Sequence, residues 1–160
     1  MKFHRPLFAA ALALVLSVAT AFAAEPYKVG DAFDAFTTKD QHEKDYTFAP
    51  GPRLVIVSFE MSAGKDANAF FAEKGATFLD EQQAVFIANI YGMPAIGRFF
   101  AMPKMKRYPH RILLADAETF LDRYPREENK LTVIRLDPAG AVTGVEFIDP
   151  EKGLPAVFAK

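Results

Sequence analysis

The stretch Leu54–Asn68 constrains the fold of this chain more than any other part of the sequence. It opens with Leu54–Val57, an uninterrupted apolar run that is typical of a strand buried on both faces of a sheet. A short polar turn follows, and apolar residues then recur at helical spacing. Such a strand and helix form a βα unit, in which ligands usually bind beyond the carboxyl end of the strand. The sequence therefore predicts a site around Glu60–Asp66.

Residues 1–23 have the pattern of an export signal. Their start is basic, an apolar run follows, and Ala21-Phe22-Ala23 matches the A-x-A cleavage motif. The apolar run is shorter than the roughly 20 residues that a retained membrane anchor needs. We therefore expect cleavage near Ala23, a location in the periplasm, no stable membrane insertion after cleavage, and one domain at residues 24–160.

The composition excludes several classes of function. The chain contains no cysteine, so disulfide bonds, thiol catalysis, cysteine-ligated zinc and attached c-type haem are ruled out. Removal of the leader takes away Lys2 and Arg5 and leaves 17 basic and 20 acidic residues, a net charge of −3 with histidine neutral. This charge balance argues against nucleic acid or an anionic membrane as the main partner.

The rest of the chain alternates between strand and helix patterns. The apolar spacing from Ala67 to Phe78 predicts a helix whose first turn is capped by Ser62 or Asp66. The other predicted elements are a hairpin of strands near 35–37 and 45–48, a strand at 84–90, a helix from Pro94 to about Pro103, a strand at 111–114, a hairpin of strands 132–136 and 141–147 with a type I turn at 137–140, and a closing helix within 150–158.

This order of elements resembles the thioredoxin-like proteins of the periplasmic thiol-reductase and peroxiredoxin kind. Val29-Gly30-Asp31 and Phe36–Gln41 are similar to the phrase that precedes the reactive strand in those families, while Ile112–Asp116 and Thr132–Gly140 are similar to two of their later strands. The resemblance covers almost all of residues 24–160. It implies an α/β fold: a three-layer α/β/α domain with a central mixed sheet and an N-terminal β-hairpin.

The same resemblance places unreactive residues at both redox positions. Alignment on Phe59 puts Gly64-Lys65-Asp66-Ala67 where those families carry Cys-x-x-Cys, and alignment on Thr132 puts Leu131 where they carry a cis-proline. It thus implies a scaffold without thiol–disulfide activity. We expect a non-catalytic binding or accessory module without a cofactor, which recognises a protein partner in the cell envelope or a small ligand.

A further resemblance is to short secreted proteins that contain a Met-Pro pair and a Phe-Phe-Ala-Met-Pro-Lys-Met run, here Met93-Pro94 and Phe99–Met105. Some of them carry the label of an FAD- or FMN-containing dehydrogenase, which implies a flavin-linked oxidoreductase. The sequence argues against flavin, because no G-x-G-x-x-G follows a strand and the chain is short for a dinucleotide site plus a substrate site.

Three residues beyond the central strand are candidates for catalysis: Glu60, Ser62 and Lys65. Ser62 and Lys65 match the S-x-x-K motif, in which a lysine activates a serine nucleophile, but the S-D-N and K-T-G partners of that motif are missing. Glu60 could serve as a general base or a ligand in a dry crevice. The structural alternatives are a capping role for Ser62 and a carboxylate favoured near a helix N-terminus for Glu60 and Asp66.

Four residues offer soft ligands for a metal. Thioether and imidazole groups suit Cu(I) in an oxidising compartment, and the alternative is that the methionines only fill the core. The candidate ligands are Met93, Met102, Met105 and His110.

The segment Arg98–Arg111 is rich in basic and aromatic residues, which recur in protein-binding hot spots and anion sites. The alternative is a solvated basic rim with Phe99 and Phe100 in the core. The predicted binding surface combines this segment with the turn after the central strand: Glu60, Gly64, Lys65, Asp66, Arg98, Lys104, Lys106, Arg107 and Leu131.

Overall fold

A computed structural model describes residues 24–49, 51–52 and 54–159 of the chain. The predicted export signal at residues 1–23 lies outside the described residues. Within the described ranges, no helix is long and apolar enough to cross a membrane.

The described residues form one mixed sheet and four helices. In chain order the elements are β1 (Phe36–Asp40), β2 (Asp45–Phe48), β3 (Leu54–Ser58), α1 (Met61–Lys74), α2 (Phe78–Glu81), β4 (Ala84–Asn89), α3 (Ala95–Met105), β5 (Leu113–Ala115), β6 (Leu131–Leu136), β7 (Val142–Ile148) and α4 (Gly153–Val157). The strand order is β2-β1-β5-β4-β3-β6-β7. Neighbours pair antiparallel except β3 with β4 and β4 with β5, which are parallel. The predicted α/β fold with a central mixed sheet and an N-terminal hairpin is confirmed.

Strand β3 lies inside the sheet, between β4 and β6, and is buried along its whole length. Leu54 and Ile56 point into one hydrophobic core, and Val55 and Val57 point into a second core on the opposite face. An uninterrupted apolar strand fits this position because both of its faces are covered. The prediction of a strand buried on both faces at Leu54–Val57 is confirmed.

The two faces of the sheet are covered differently. All four helices contribute to the first core, with Phe71 of α1, Leu79 of α2, Met105 of α3 and Leu154 of α4 as examples. The second core is closed by the segment before β1 and by the turns between β5 and β6, which supply a group of aromatic residues: Tyr27, Phe33, Phe120 and Tyr124. The helical layer on the first face is therefore the one that shapes a crevice beyond β3 and β4.

The start of α1 differs from the prediction. The helix begins at Met61, and Glu60 occupies the N-cap position without a side-chain hydrogen bond to the first turn. The prediction that Ser62 or Asp66 caps α1 is wrong, because both residues lie inside the helix. The first turn begins earlier than the apolar spacing indicated, directly at the end of β3.

Two helix ends also differ from the predictions. Helix α1 stops before Gly75, whose φ of 97° is a left-handed value that glycine adopts without strain. Helix α3 continues through Pro103 to Met105, since a proline near the end of a helix removes only one donor. The next turn still closes, because the Lys106 N–H donates to the Met102 carbonyl at 3.0 Å.

Candidate functional site

A pocket of about 350 Å³ opens at the carboxyl edge of the sheet, between α1 and α3. β3 and β4 are parallel, with Ser58 opposite Ala88, so their ends meet at this edge and form the floor. One wall is the first half of α1 and the other is the inner side of α3. We call this cavity the α1–α3 pocket; it lies where the sequence predicted a site.

Small residues create the space of the α1–α3 pocket. Gly64 of α1 and Gly97 of α3 both line it. A Cβ added at Gly64 would lie 3.0 Å from Ser58 Oγ, and one added at Gly97 would lie 3.1 Å from Met93 Cγ. Glycine at these positions lets α1 approach β3 closely and leaves room for the Met93 side chain beside α3.

The α1–α3 pocket is mainly apolar with a few polar groups. Lys65 and Lys104 line it from opposite helices, and both are exposed. Glu60 also lines it; the Glu60 Oε2 atom is buried and has no hydrogen-bond partner in the described part of the chain. A buried oxygen without a donor is unfavourable, so the Glu60 carboxylate is an unsatisfied polar group at the wall of the pocket.

A buried histidine lies behind one wall of the pocket. His110 is fully buried, and its Nε2 donates to Oδ1 of Asn68, a residue of α1 that lines the pocket, at 2.9 Å. Burial lowers the pKa of His110 to about 4, so the imidazole is neutral near pH 7. The His110 Nδ1 atom has no partner within the described ranges. This pair fixes the position of the Asn68 amide at the pocket surface.

The structure brings together four of the predicted binding residues: Glu60, Gly64, Lys65 and Lys104 all line the α1–α3 pocket. Asp66 lies on α1 but does not line the pocket. Leu131 was predicted as part of the binding surface, but it does not line the pocket. It is the first residue of β6, pairs with Ser58 and is completely buried, so its side chain is enclosed in the core.

Two of the other predicted cations, Arg98 and Lys106, make side-chain contacts within the chain, whereas Arg107 is exposed and has no carboxylate within 4 Å among the described residues. The guanidinium of Arg98 donates through Nη1 to Asp116 at 2.8 Å and through Nη2 to the Ile90 carbonyl at 3.0 Å. Lys106 Nζ lies 3.1 Å from a carboxylate oxygen of Glu43. Arg98 and Lys106 thus fasten α3 and the segment after it to the rest of the fold.

The aromatic residues of α3 do not lie in the core. Phe99 is 71% exposed and Phe100 is 68% exposed. The alternative interpretation of the basic segment, with these rings buried beneath a solvated rim, is therefore wrong. The helix buries Met105 instead, and Met102 packs beside it, because those residues occupy the face that meets the sheet.

The catalytic candidates are not arranged as a nucleophile and base. Ser62 is exposed on α1 and, unlike Lys65, does not line the pocket. No side-chain hydrogen bond joins Ser62 to Lys65 among the described residues. A serine nucleophile would need such a contact with its base, so the geometry gives the S-x-x-K match no support.

The metal candidates are divided between different environments. Met93 and Met105 line the α1–α3 pocket, whereas Met102 lines a groove on the other side of α3, with Arg98 and Asp116. His110 lies outside both cavities and already donates to Asn68. In the described ranges, no group of three or more histidine or acidic side chains could hold a metal ion. Copper binding stays a prediction that this geometry does not favour.

Sequence reasoning missed several pocket residues. Gly97 and Ala101 are four residues apart and therefore lie on one face of α3. Two small residues at this spacing were the available signal for a cavity beside the helix. The other missed residues are Ser58, Met61, Asn68, Ala88, Asn89 and Ile90, whereas Phe100 and Tyr108 belong to the segment Arg98–Arg111 that was predicted as part of the binding surface.

Comparison of the sequence with known protein families and with characterised proteins finds no match. The fold, in contrast, matches many solved structures. The thioredoxin domain of a thiol-disulfide oxidoreductase from Bacteroides vulgatus superimposes with a TM-score of 0.54 at 16% identity, over 84% of this chain and 99% of that one. The chain has a thioredoxin-like fold.

Two further thioredoxin-like structures are similar. A thiol peroxidase from Chromobacterium violaceum gives a TM-score of 0.51 at 17% identity, over 83% of this chain and 85% of that one. A peroxidoxin from Mycobacterium tuberculosis gives 0.52 at 16% identity, over 81% and 92%. At these identities the similarity establishes the thioredoxin-like fold alone. This chain combines that fold with a complete lack of cysteine.

Proposed function

We propose that this protein is a redox-inactive thioredoxin-like module whose α1–α3 pocket binds a compact apolar group, either a small ligand or a side chain of a protein partner. The observation that carries the proposal is the pocket itself, a cavity of about 350 Å³ at the carboxyl edge of the parallel strands. Its volume is at the lower end of the roughly 300–1,000 Å³ of ligand sites. That is room for a ring or a branched chain rather than for a flavin dinucleotide.

The chemistry of the pocket supports binding over catalysis. Its walls are largely apolar, and its few polar side chains are the hydroxyls of Ser58 and Tyr108, the amides of Asn68 and Asn89 and the charged groups of Glu60, Lys65 and Lys104. A small number of polar groups around an apolar cavity can orient a ligand. The chain has no thiol for the chemistry of thioredoxins, and the A-x-A motif at Ala21–Ala23 supports placing this function in the periplasm.

A fragment titration tests the proposal. We would add small aromatic and aliphatic fragments to isotope-labelled protein and follow amide signals by NMR. We expect saturable shifts of the Asn68 and Asn89 side-chain amides. Ala101→Leu would fill the pocket and weaken fragment binding about ten-fold or more, because the added methyl groups occupy the site. The matched control is Ala69→Leu on the exposed side of α1, outside the pocket.

Two results would contradict the proposal. One is the absence of saturable shifts at pocket residues with any fragment. The other is fragment binding that is equally strong in Ala101→Leu and in the control variant, which would place the fragments elsewhere on the protein.

A further inference from the structure

The outer face of α3 exposes large apolar side chains that a soluble domain normally covers. Ile96 is 67% exposed, and the Phe99 and Phe100 rings are exposed to a similar extent. The two rings pack edge to face with centroids 5.2 Å apart. We call Ile96, Phe99 and Phe100 the α3 ridge. Aromatic residues bury roughly 150–250 Å² each when covered. A partner that covers this ridge would therefore bury a large apolar surface.

The α3 ridge is continuous with the α1–α3 pocket. Phe100 belongs to both, and across the mouth of the pocket the side chain of Met61 is 68% exposed. A convex apolar ridge beside a concave apolar pocket is the combination found at the centre of protein interfaces, where an anchor side chain fills a pocket and its neighbours cover the rim. The two features therefore form one surface.

Along α3 and the segment that follows it, the charged side chains are all basic. From Gly92 to Ala115 the sequence contains no acidic residue. Lys104 and Arg107 are exposed and have no carboxylate within 4 Å among the described residues, whereas Arg98 pairs with Asp116. An unpaired cationic surface at the end of the ridge is complementary to an anionic partner.

Apolar and cationic side chains occupy opposite ends of the same face of α3. Ile96, Phe100 and Lys104 are separated by four residues each and therefore form one row along the helix. The row is apolar at its start and cationic at its end. Lys104 also lines the pocket, so an apolar anchor in the pocket would have a cation beside it.

We infer that the α3 ridge and the α1–α3 pocket together dock an acidic amphipathic segment of a protein partner. Its large apolar side chains cover the ridge and enter the pocket, and its carboxylates lie beside Lys104 and Arg107. The inference rests on the proposed function, since one anchor side chain occupies the pocket. It adds the class of partner, an acidic amphipathic segment, and states that its carboxylates lie at the Lys104 end of α3.

Two other occupants fit this surface less well. A second copy of the chain, paired ridge to ridge, would bring no carboxylate from its own α3 to Lys104 and Arg107, because residues 92–115 contain no acidic residue. A flat anionic bilayer would leave the concave pocket unfilled, and the formal net charge of the protein is −1.

Selection from a library of short random peptides tests the inference. We would select peptides on the purified wild-type protein and on two double variants. We expect the wild type to enrich peptides with large apolar residues followed by Asp or Glu. Lys104→Glu with Arg107→Glu would weaken their binding about ten-fold and would enrich basic peptides instead. The matched control, Lys44→Glu with Lys152→Glu, reverses two exposed lysines elsewhere and would leave the selection unchanged.

The ridge is tested separately from the pocket. Ile96→Ser with Phe99→Ser removes exposed apolar groups that do not line the pocket, so folding and fragment binding would persist while affinity for the selected peptides falls about ten-fold. If fragments bind and the peptides do not, the inference fails and the proposed function stands. If fragments fail to bind as well, both fail.

Several results would overturn the inference. The first is the absence of peptide enrichment, and the second is enrichment that does not respond to charge reversal at Lys104 and Arg107. The third is stronger binding to vesicles of anionic phospholipid than to the peptides. The fourth is dimerisation in solution that the Ile96→Ser, Phe99→Ser double variant abolishes. The vesicle result would assign the surface to a membrane, and the dimerisation result would assign it to a second copy of this chain.

Discussion

At the scale of single residues, the pair of His110 and Asn68 links the core to the pocket surface. The imidazole is enclosed between the aromatic rings of Phe71, Phe86 and Tyr108. Since Asn68 Oδ1 can only accept, Nε2 carries the proton and Nδ1 is left without one. Protonation of Nδ1 would place a charge in this apolar environment, which explains the low pKa of His110.

The pair predicts a pH dependence of stability. A histidine in the unfolded chain takes up a proton near pH 6.5, whereas folded His110 does so only near pH 4. The unfolded state therefore binds more protons between these values, and the free energy of unfolding falls as the pH is lowered through this window, by about 3 kcal/mol in total. Above pH 6.5 this contribution to stability is complete.

Urea denaturation from pH 4 to pH 7 measures this effect. His110→Gln removes the titrating group and keeps a donor for Asn68, so its unfolding free energy would decrease less on acidification than that of the wild type. His42→Gln is the control, because His42 is exposed between β1 and β2. Parallel pH profiles of the wild type and His110→Gln would contradict the assignment.

At the scale of elements, α3 is held to the sheet by its first turns. Arg98 contacts both carboxylate oxygens of Asp116 and donates to the carbonyl of Ile90 at the end of β4. The hydrogen bonds from Arg98 lower the pKa of Asp116 below its ordinary value. The position of α3, and with it one wall of the pocket, therefore depends on this contact.

Arg98→Ala is expected to loosen α3 more than it destabilises the whole protein. The ion pair is partly exposed, so we expect a loss of about 1 kcal/mol or less in the free energy of unfolding. Hydrogen exchange of α3 amides would be faster, because local opening no longer breaks the contacts to Asp116 and Ile90. Unchanged exchange in α3 would contradict the role given to Arg98.

Arg135→Ala is the matched control for this experiment. Its ion pair with Glu146 joins β6 to β7 and has a similar exposure. We expect it to leave exchange in α3 unchanged.

The same helix marks the limit of what the sequence could predict. Strands β3, β4 and β6 were predicted within about one residue because their apolar runs are continuous, and the turn Asp137–Gly140 was predicted from its proline and glycine. Helix α3 is apolar on both faces, with methionines on one and Ile96, Phe99 and Phe100 on the other. Periodicity cannot choose the buried face of such a helix, so the exposed ridge could not be predicted.

The pocket was predicted only in part for a related reason. The sequence indicates that the turn after β3 lies at the edge of the sheet, and Glu60, Gly64 and Lys65 follow from that. The opposite wall is contributed by α3, some 30 residues further along the chain. Its contribution depends on how closely the two helices approach, which the spacing of residues in one element does not encode.

At the scale of the whole molecule, the centre of the sheet is assembled from distant parts of the chain. β3 is paired on one side with β4 and on the other with β6, which lies beyond β5 and the turns that follow it. Every residue of β3 is paired on both sides. The first core also includes Leu154 and Val157 of α4. Folding of the sheet therefore requires the last part of the chain.

A truncated chain tests this dependence. Residues 24–128 lack β6, β7 and α4. Strand β3 would then have an unpaired edge, and the first core would lose the side chains that α4 contributes. We expect no cooperative thermal unfolding and a tendency to aggregate. A chain that ends at Phe158 is the control and would unfold as the complete protein does. Cooperative unfolding of residues 24–128 would contradict the prediction.

The aromatic residues divide the optical signals of this protein between its two faces. The chain has no tryptophan and five tyrosines, so its intrinsic fluorescence comes from tyrosine. Tyr27 and Tyr124 lie in the second core, remote from the α1–α3 pocket, whereas Tyr108 lines that pocket. Quenching of Tyr108 would therefore report on an occupant of the pocket, which Tyr27 and Tyr124 would not contact.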